Sequence, residues 1–439
     1  MKLIRTKGRG AAQTAETLAA LEQRGGSSLE TVLPAVRRIV SDVRKKGDAA
    51  LIKYAAQFDG NQGNLKVTRE EMAAAWDAIL PEMRIALTTA AGQIRSFAVN
   101  QLPASWSEQP MEGLMTGQLV RPIGAAGCYV PSGRHPLPST LLMTVIPAQV
   151  AGVERIVVVS PRPAPETLAA AHMLGVTEFY RLGGAHAIAA LAYGTQTIPK
   201  VDKIVGPGNL YVTAAKKLVA FDCSIDMLAG PTEAIVTSEK GRPADIASDL
   251  VAQAEHDPEA LSIFITTQAG LAKEVAEECK LRSRSNPVAR ESLDRNGLVI
   301  IASNVEEARA ITNRLAPEHL TVDAASDLDW VQNAGSVFIG RWSAQPMGDY
   351  ISGPNHTLPT GGMARVRGGL SVNDFVKLIT VQQYDAKAMR VLGPDAELLA
   401  EAEGLTGHAD AIRVRLGKKA SVTKPAKKVA TAKVRRPRA

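Results

Sequence analysis

Residues 155–194 read RIVVVSPRPAPETLAAAHMLGVTEFYRLGGAHAIAALAYG, and this stretch decides the fold class. It contains two short runs rich in β-branched and aromatic residues, 155–160 and 178–182. Each is followed by a longer run with helical spacing, 165–174 and 185–193. Short strands that alternate with helices are typical of parallel sheets built from crossover connections. We therefore predict an α/β fold.

The same alternation extends outward from this stretch. A chain of 439 residues is long enough for two domains, and a single large domain remains the alternative. The number of strands favours two Rossmann-like, doubly wound parallel-sheet domains with small helical N- and C-terminal extensions. The further predicted strands are 127–130, 202–205, 234–237, 261–266, 298–301 and 336–340.

The helical segments lie mostly at the two ends of the chain. Leu33, Val36 and Ile39 recur at helical spacing, with Ser28 as the predicted N-cap and Gly47 as the stop. Beyond Asp374 the pattern is again helical. The expected domain bounds are 1–27 for an N-terminal extension, 28–128 plus 234–365 for a first Rossmann-like domain, 129–233 for a second, 366–417 for a C-terminal helical segment and 418–439 for a disordered basic tail.

The composition indicates a soluble, folded protein, with 45% apolar and 22% charged residues. No apolar run has the length of a membrane span, and the basic N-terminus lacks the apolar stretch of a secretory signal. We therefore expect a cytoplasmic protein that does not enter a membrane. The cysteines Cys128, Cys223 and Cys279 lie far apart and suggest neither a thiolate zinc site nor disulfides.

The positive net charge is concentrated at the C-terminus. Nine basic residues and no acid lie in 418–439, so the net charge of +7 leaves −2 for residues 1–417. A segment of one charge sign without apolar periodicity is expected to be disordered. A nucleic-acid-binding protein would carry basic patches on its folded part, so specific nucleic-acid binding is the less favoured interpretation of the tail.

Glycine-rich turns mark candidate ligand-binding loops. The chain has no Gly-x-Gly-x-x-Gly fingerprint, but Gly206-Pro207-Gly208-Asn209 lies between a predicted strand and a predicted helix. Three further turns, 129–133, 183–186 and 229–233, also end strands and carry polar side chains. Each turn alone is consistent with a simple connection, whereas together they favour a ligand crevice at the strand ends.

Four of the seven histidines stand beside carboxylates or amides. Gln253 and His256, three residues apart at the end of a predicted helix, point from one face and could hold one cation. Adding Asp349 and His408 gives a nitrogen and oxygen ligand set that suits Zn²⁺ without excluding Mn²⁺ or Co²⁺.

Glu318 and His319 form a different kind of pair. At the entrance of a strand both side chains can reach one cleft, where an imidazole is suited to take a hydroxyl proton and a carboxylate to orient a water. A structural turn is the alternative interpretation.

These segments together resemble the histidinol dehydrogenase family from about residue 28 to residue 415. The resemblance rests on five separated motifs in the family's order. They are Gln253-Ala254-Glu255-His256, Pro317-Glu318-His319-Leu320, Gly348-Asp349-Tyr350 with Ser352-Gly353-Pro354-Asn355-His356, Gly206-Pro207-Gly208-Asn209, and Glu403 with His408.

The resemblance implies an NAD-dependent oxidation of L-histidinol to L-histidine through bound L-histidinal, the last steps of histidine biosynthesis. By this similarity His319 is the general base and Glu318 activates water. One Zn²⁺ per subunit binds the substrate. Family members are homodimers whose C-terminal segment reaches the partner's active site. The implied positions are Gln253, His256, Asp349 and His408 for zinc, which with His319 also surround the substrate; Tyr129, His186 and Asn209 for NAD; and Thr232, His356 and Glu403 for substrate.

Two positions depart from the family pattern. His186 stands where a Gln is usual and Thr232 where a Ser is usual, so the affinities for NAD and substrate are open. The alternative function is that of a paralogous zinc- and NAD-dependent dehydrogenase for another polar alcohol, such as a sulfopropanediol, which would share the metal ligands and the Glu318–His319 pair.

Overall fold

A computed structural model describes residues 1–24, 29–132 and 137–419. The predicted N-cap Ser28 and the basic tail beyond Lys419 lie outside these residues. The strands are β1 Lys2–Arg5, β2 Lys66–Val67, β3 Trp106–Met111, β4 Leu114–Pro122, β5 Ala125–Tyr129, β6 Arg155–Val159, β7 Glu178–Tyr180, β8 Lys203–Val205, β9 Ser224–Ile225, β10 Glu233–Thr237, β11 Leu261–Thr266, β12 Leu298–Ile301, β13 His319–Val322, β14 Ser336–Ile339 and β15 Val376–Tyr384.

Helices separate most of the strands. They are α1 Ala11–Glu22, α2 Leu29–Lys46, α3 Asp48–Tyr54, α4 Arg69–Ala78, α5 Pro81–Gln101, α6 Pro138–Val150, α7 Pro165–Met173, α8 Gly184–Tyr193, α9 Leu210–Val219, α10 Pro243–Ala254, α11 Ala269–Arg282, α12 Pro287–Arg295, α13 Val305–Leu315, α14 Gln345–Tyr350, α15 Ala386–Ala402 and α16 Thr406–Arg415. A π-helical turn, Ala55–Asp59, follows α3. Across the described ranges, no helix is long and apolar enough to span a membrane.

The strands of the larger unit, residues 1–103 and 122–376, form two six-stranded sheets. Sheet I has the order β1-β12-β11-β10-β13-β14, and sheet II has the order β2-β7-β6-β5-β8-β9. Sheet I is parallel throughout, and sheet II is parallel except for β2. The prediction of parallel, doubly wound α/β sheets is confirmed.

The two sheets share one topology. Counted from β5 in sheet II and from β10 in sheet I, the five successive strands lie in the order 3-2-1-4-5, and one extra edge strand lies beside strand 3. In each sheet the strand order therefore reverses between the first and fourth strands, β5 and β8 or β10 and β13. The repeated order is what a duplication of one ancestral unit would produce.

The N-terminal residues distribute differently from the expected domain bounds. Residues 1–27 were expected to be an extension, but β1 pairs with β12 at the edge of sheet I and Leu18 of α1 is buried in the same core. Residues 28–128 were grouped with 234–365. Instead, Leu33 and Val36 of α2 belong to the same buried core as Val157 of sheet II, with α2 packed on α8 and α9, and α4 to α6 cover the opposite face of that sheet. Both chain segments supply apolar faces of similar pattern, so the sequence alone does not indicate which sheet they cover.

The smaller unit comprises residues 104–121 and 377–439, of which the structure describes those up to Lys419. It contains a three-stranded sheet of order β15-β4-β3, with α15 and α16 packed as a pair. Residues 366–417 were expected to be helical, and the nine-residue strand β15 corrects this. The β3–β4 hairpin was also missed, because the exposed β3 sequence WSEQPM lacks an apolar alternation.

Candidate active site

A cavity of about 290 Å³ lies between the two sheets of the larger unit. Sheet II contributes the carboxyl ends of its strands, since the Gly206–Asn209 turn follows β8. Sheet I contributes the amino ends, since Thr232 precedes β10 and His319 begins β13. On both sides the lining turns come from the strands where the strand order reverses, which is where open α/β sheets bind ligands. Sheet I departs from that rule in using the amino ends.

Glu318 is a buried carboxylate held from sheet I. Its Oε2 accepts a 2.5 Å hydrogen bond from the Thr232 hydroxyl and a 2.8 Å bond from the backbone N–H of Glu233. Burial raises the pKa of Glu318 to about 7, although the neighbouring His319 and these two hydrogen bonds oppose the rise. The carboxyl can therefore change its protonation near neutral pH, as a group that handles a proton must.

His319 stands beside Glu318, with its ring near that of Phe338. Its Nδ1 lies 3.3 Å from the backbone oxygen of Glu233, and its Nε2 lies 3.5 Å from Oδ1 of Asp349. Burial opposes protonation of this imidazole, but the charges of Glu318 and Asp349 outweigh burial and raise the pKa of His319 to about 9.

The predicted metal ligands Gln253, His256 and Asp349 line the same cavity. Gln253 lies in the last turn of α10, His256 follows two residues after the end of that helix, and Asp349 lies on α14, so the two residues adjoin one helix end but do not share a helix face. The Gln253 Nε2 donates to the Thr232 hydroxyl, which leaves Oε1 as the amide's ligand atom. Burial raises the pKa of Asp349, but the hydrogen bond and charge of His319 outweigh burial and lower it overall, so the carboxylate is ionised.

His408 and Glu403 belong to the smaller unit, at α16 and after α15, and both are exposed. Within residues 1–24, 29–132 and 137–419, no three His, Cys, Asp or Glu side chains form a metal-binding group. The predicted set draws two such side chains, His256 and Asp349, from the cavity. Its other members are an amide and a histidine expected from a second copy.

The predicted NAD positions have different environments. Tyr129, at the end of β5, is buried and accepts a hydrogen bond from Gly184 N–H. Asn209 lines the cavity, and its Oδ1 caps the amino end of α9. His186 is buried at 1% exposure, and its Nε2 lies 2.9 Å from Asp59 Oδ2, which also accepts from Gly183 N–H.

His356 of the predicted substrate group also lines the cavity. Its Nδ1 lies 2.8 Å from the backbone oxygen of Asp349, and its Nε2 lies 3.2 Å from the Thr140 hydroxyl. Burial lowers the pKa of His356. A neutral ring is therefore favoured here, and its hydrogen bond to the backbone oxygen of Asp349 supports the end of α14, which carries that carboxylate.

The sequence analysis missed a buried lysine near the Gly206–Asn209 turn. Lys216 of α9 contacts Oδ1 of Asp226 at 2.6 Å and the backbone oxygen of Gly206 at 2.5 Å. Oδ2 of Asp226 accepts from Gly206 N–H at 2.7 Å. Gly206 has φ +112°, and a Cβ there would lie 2.1 Å from the backbone oxygen of Tyr129. The Lys216–Asp226 ion pair thus holds a turn that only glycine can form. The sequence did not predict this contact, because a Lys within an apolar helix does not indicate a buried partner.

The sequence analysis also missed a polar contact that lies one helical turn from the predicted metal ligands. Asp249 lies four residues before Gln253 on α10, and Gln345 four residues before Asp349 on α14. Gln345 donates its backbone N–H to Asp249 at 3.4 Å and its Nε2 to the Thr321 hydroxyl at 2.9 Å. The contact joins the two helices that carry the predicted ligands. The i, i+4 spacing within each helix is the signal that could have revealed it.

A larger cavity of about 1120 Å³ adjoins the first and shares Gln253, His256 and Asp349 with it. Glu166, Asp249, Glu255 and Asp257 also line it, and no lysine or arginine within residues 1–24, 29–132 and 137–419 does. The described lining of this cavity is therefore acidic, which favours the approach of a cationic group.

Comparisons with known proteins agree with this geometry. A family model described as histidinol dehydrogenase matches residues 22–416. The histidinol dehydrogenase of Methanothermobacter thermautotrophicus is 46% identical over 411 residues, covering 90% of this chain and 96% of that protein. That of Geobacillus kaustophilus is 46% identical over 416 residues, covering 90% and 98%. The crystal structure of histidinol dehydrogenase from Elizabethkingia anophelis superposes with a TM-score of 0.89 at 35% identity, covering 95% of this chain and 98% of that one.

The family model spans residues 22–416, and this range includes all the residues that line the smaller cavity. The relatives named here are histidinol dehydrogenases, which supports the main interpretation of the sequence over the paralogous alcohol dehydrogenase. This chain belongs to the histidinol dehydrogenase family.

Proposed function

We propose that this chain oxidises L-histidinol to L-histidine through bound L-histidinal, with two NAD molecules each accepting one hydride. The observation that carries the proposal is the burial of Glu318 and His319 in one cavity with Gln253, His256 and Asp349. A base, a water-activating carboxylate and a cation-binding group are the parts that two successive oxidations of an amino alcohol need.

His319 would take the hydroxyl proton. Its Nδ1 is placed to donate to the backbone oxygen of Glu233, and this tautomer leaves the Nε2 lone pair free on the side of Asp349. As the base takes the proton from oxygen, the carbon-bound hydrogen leaves as hydride, and the alcohol becomes an aldehyde. In the ion-free cavity the pKa of His319 is raised to about 9, so a cation beside Asp349 favours the neutral base.

Glu318 would act in the second half of the reaction. In its ionised form it takes a proton from water, whose oxygen attacks the aldehyde carbon to give the hydrate. Loss of the second hydride from that hydrate yields the carboxylate. The Thr232 hydroxyl and Glu233 N–H hold one carboxylate oxygen, so the Oε1 atom remains for the water.

The residues fit a zinc ion. We propose that Gln253 through Oε1, His256 and ionised Asp349 would hold one Zn²⁺ per subunit, with His408 supplied by a second copy of the chain. When bound, the metal would fix the amine and imidazole of the substrate and offset the Asp349 charge beside His319. The Gln253–Thr232 and Asp249–Gln345 contacts orient the ligands from this chain.

A homodimer with shared active sites is part of the proposal. Glu403 and His408 are exposed on the smaller unit, close in sequence to large exposed apolar side chains. A contiguous apolar surface formed by these side chains would be typical of a protein interface. The side chains are Leu398, Leu399, Leu405 and Val414.

NAD would bind at sheet II near Tyr129 and Asn209. Because the His186 Nε2 is occupied by Asp59, we propose that His186 acts indirectly, by supporting the Gly183–Gly184 turn at the start of α8. This replaces the direct contact expected from the sequence. We place the reaction in the cytoplasm, where histidine biosynthesis would draw on the NAD pool.

The test is the stoichiometry of the purified protein with zinc and NAD. We expect two NADH for each L-histidinol consumed, with L-histidine as product. Absence of NADH from histidinol together with turnover of a sulfonated propanediol would overturn the proposal in favour of the paralogous activity.

A further inference from the structure

A buried ion pair, Arg24–Glu233, adjoins the Glu318–His319 pair. Arg24 contacts the Glu233 carboxylate twice, from Nε to Oε1 at 2.6 Å and from Nη2 to Oε2 at 2.7 Å. The Glu233 side chain is 4% exposed and that of Arg24 is 15% exposed. A two-point contact of this kind fixes the carboxylate in both position and orientation.

Glu233 holds Glu318 and His319 through its main chain. Its N–H donates to Glu318 Oε2 at 2.8 Å, and its carbonyl oxygen lies 3.3 Å from Nδ1 of His319. The side chain of Glu233 is anchored on two sides, since the Gly361 N–H also donates to Oε1 at 2.8 Å. The position of the Glu318 carboxylate therefore depends on how firmly the start of β10 is held.

The charge of Arg24 is as important as its contacts. Glu233 and Glu318 are two buried carboxylates on neighbouring strands, and the negative charge of Glu233 disfavours ionisation of Glu318. The groups that face Glu318 are His319 on β13, Thr232 and Glu233 at the start of β10, and Asp349 beyond His319. Without Arg24, the Glu233 carboxylate would be a buried, unpaired charge, which is strongly unfavourable.

We propose that Arg24 is a positioning residue for the second oxidation, because it neutralises and clamps Glu233 and so fixes the backbone amide that holds the Glu318 carboxylate. The proposal rests on the proposed function, since it assumes that Glu318 activates water for attack on the aldehyde. It gives a role in the reaction to a residue of the N-terminal segment, which is far from the active-site motifs in sequence.

The experiment compares Arg24→Met with wild type when L-histidinol and L-histidinal are supplied separately. Histidinal oxidation should slow about tenfold or more in kcat, with little change in its KM, because Glu318 is displaced while the substrate ligands remain. The first NADH formed from histidinol in a single turnover should change by less than about threefold, because that step does not use Glu318. His319, although its Nδ1 lies 3.3 Å from the Glu233 oxygen, is also held by its contacts with Phe338 and Asp349. Arg24→Lys, which keeps the charge, should retain most of the histidinal activity.

A second substitution separates charge compensation from a general structural role. Arg24→Met with Glu233→Gln removes both charges and should recover most of the lost histidinal rate and of the lost melting temperature. If the double variant is no faster than Arg24→Met, or if Arg24→Met slows both oxidations equally, the proposal is wrong. The melting temperatures of the single and double variants show whether the Arg24 and Glu233 charges compensate each other, even where Arg24→Met proves too unstable for assay.

The matched control is Arg155→Met. Arg155 contacts the Glu178 carboxylate in sheet II with the same two-point geometry, at 2.7 and 3.0 Å. The Arg155→Met variant should leave the ratio of the two oxidation rates unchanged. A change in that ratio similar to the one expected for Arg24→Met would contradict the assignment to Arg24. Wild-type protein that makes no NADH from histidinol refutes the proposed function, whereas an active wild type without the expected Arg24 pattern refutes this inference alone.

Discussion

The Thr232 hydroxyl donates a 2.5 Å hydrogen bond to Oε2 of Glu318 and accepts one from Nε2 of Gln253. One side chain thus links a predicted metal ligand to the carboxylate that we propose activates water. The extra methyl of Thr, relative to the Ser that is usual in the family, leaves this hydroxyl geometry available.

Thr232→Val should slow histidinal oxidation, because it removes the hydroxyl while keeping the shape of the side chain. Loss of a hydrogen bond to a charged group costs about 1.5–3 kcal/mol, so kcat should fall roughly 10- to 100-fold. Thr232→Ser is the control and should retain wild-type activity. Steady-state kinetics with histidinal measure both, and an unimpaired Val variant would refute the link.

Glu318→Gln and His319→Asn should separate the two oxidations. Without a carboxylate at 318, the first NADH should form from histidinol at near the wild-type rate, while conversion of the aldehyde to histidine slows about 100-fold or more. His319→Asn should slow the first step as well. Rapid-quench product analysis measures each step, and a normal rate of histidine release from Glu318→Gln would show that another group activates water.

The rate of histidinal oxidation should rise with pH through neutrality. Burial raises the pKa of Glu318 to about 7, and the carboxylate is the active form. The active fraction therefore increases from about one tenth at one pH unit below the pKa to about nine tenths one unit above it. Rates at saturating substrate check this, and Glu318→Gln should lack the same inflection. A wild-type rate that falls with rising pH would contradict the assignment.

Removal of zinc should abolish turnover and leave the fold intact. We expect the same result from a chelator and from His256→Ala, because His256 lies on the cavity surface and outside the buried apolar cores. Zinc content, circular dichroism and NAD binding by calorimetry are the measurements. Full activity of the chelated protein, with zinc shown to be absent, would refute the metal site.

Lys216→Met should weaken NAD binding. It leaves Asp226 buried without its cation and releases the Gly206 turn, so the KM for NAD should rise about tenfold or more. The KM for histidinol should change little. Lys203→Met, which breaks the Lys203–Asp374 pair at the amino end of β8, is the control. Equal effects of the two variants on NAD would count against the clamp.

Much of the fold could be predicted from the sequence, because short β-branched runs alternate with helical spacing over residues 155–194. The spacing of Gln253 and His256 indicated one helix end, but His256 lies two residues beyond the end of α10, so the predicted common face was wrong. The sequence did not indicate which sheet the helices of residues 28–128 cover. An apolar helix face shows that the face is buried but does not identify the surface against which it packs. The β3 strand was not predicted because its side chains are mostly exposed and do not alternate between apolar and polar.

The site was predicted where a motif carries its own chemistry, as at Glu318-His319. The contacts that hold Glu318 and His319 in place were not predicted, because they join residues distant in sequence. Arg24 and Glu233 are separated by 209 positions, and neither has a local pattern that indicates a partner. His186 was assigned from its position in a turn, whereas its buried contact with Asp59 depends on a π-helical turn that propensity does not predict.

The meeting of opposite strand ends also gives the cleft an electrical polarity. At sheet II the helix end that faces the cavity is the amino end of α9, where the helix dipole places partial positive charge. At sheet I it is the carboxyl end of α10, where carbonyl groups carry partial negative charge beside Gln253 and His256. In the proposed arrangement, an anionic dinucleotide and a cationic amino alcohol would be attracted to opposite walls by the backbone. Topology would thus set which reactant lies on which side.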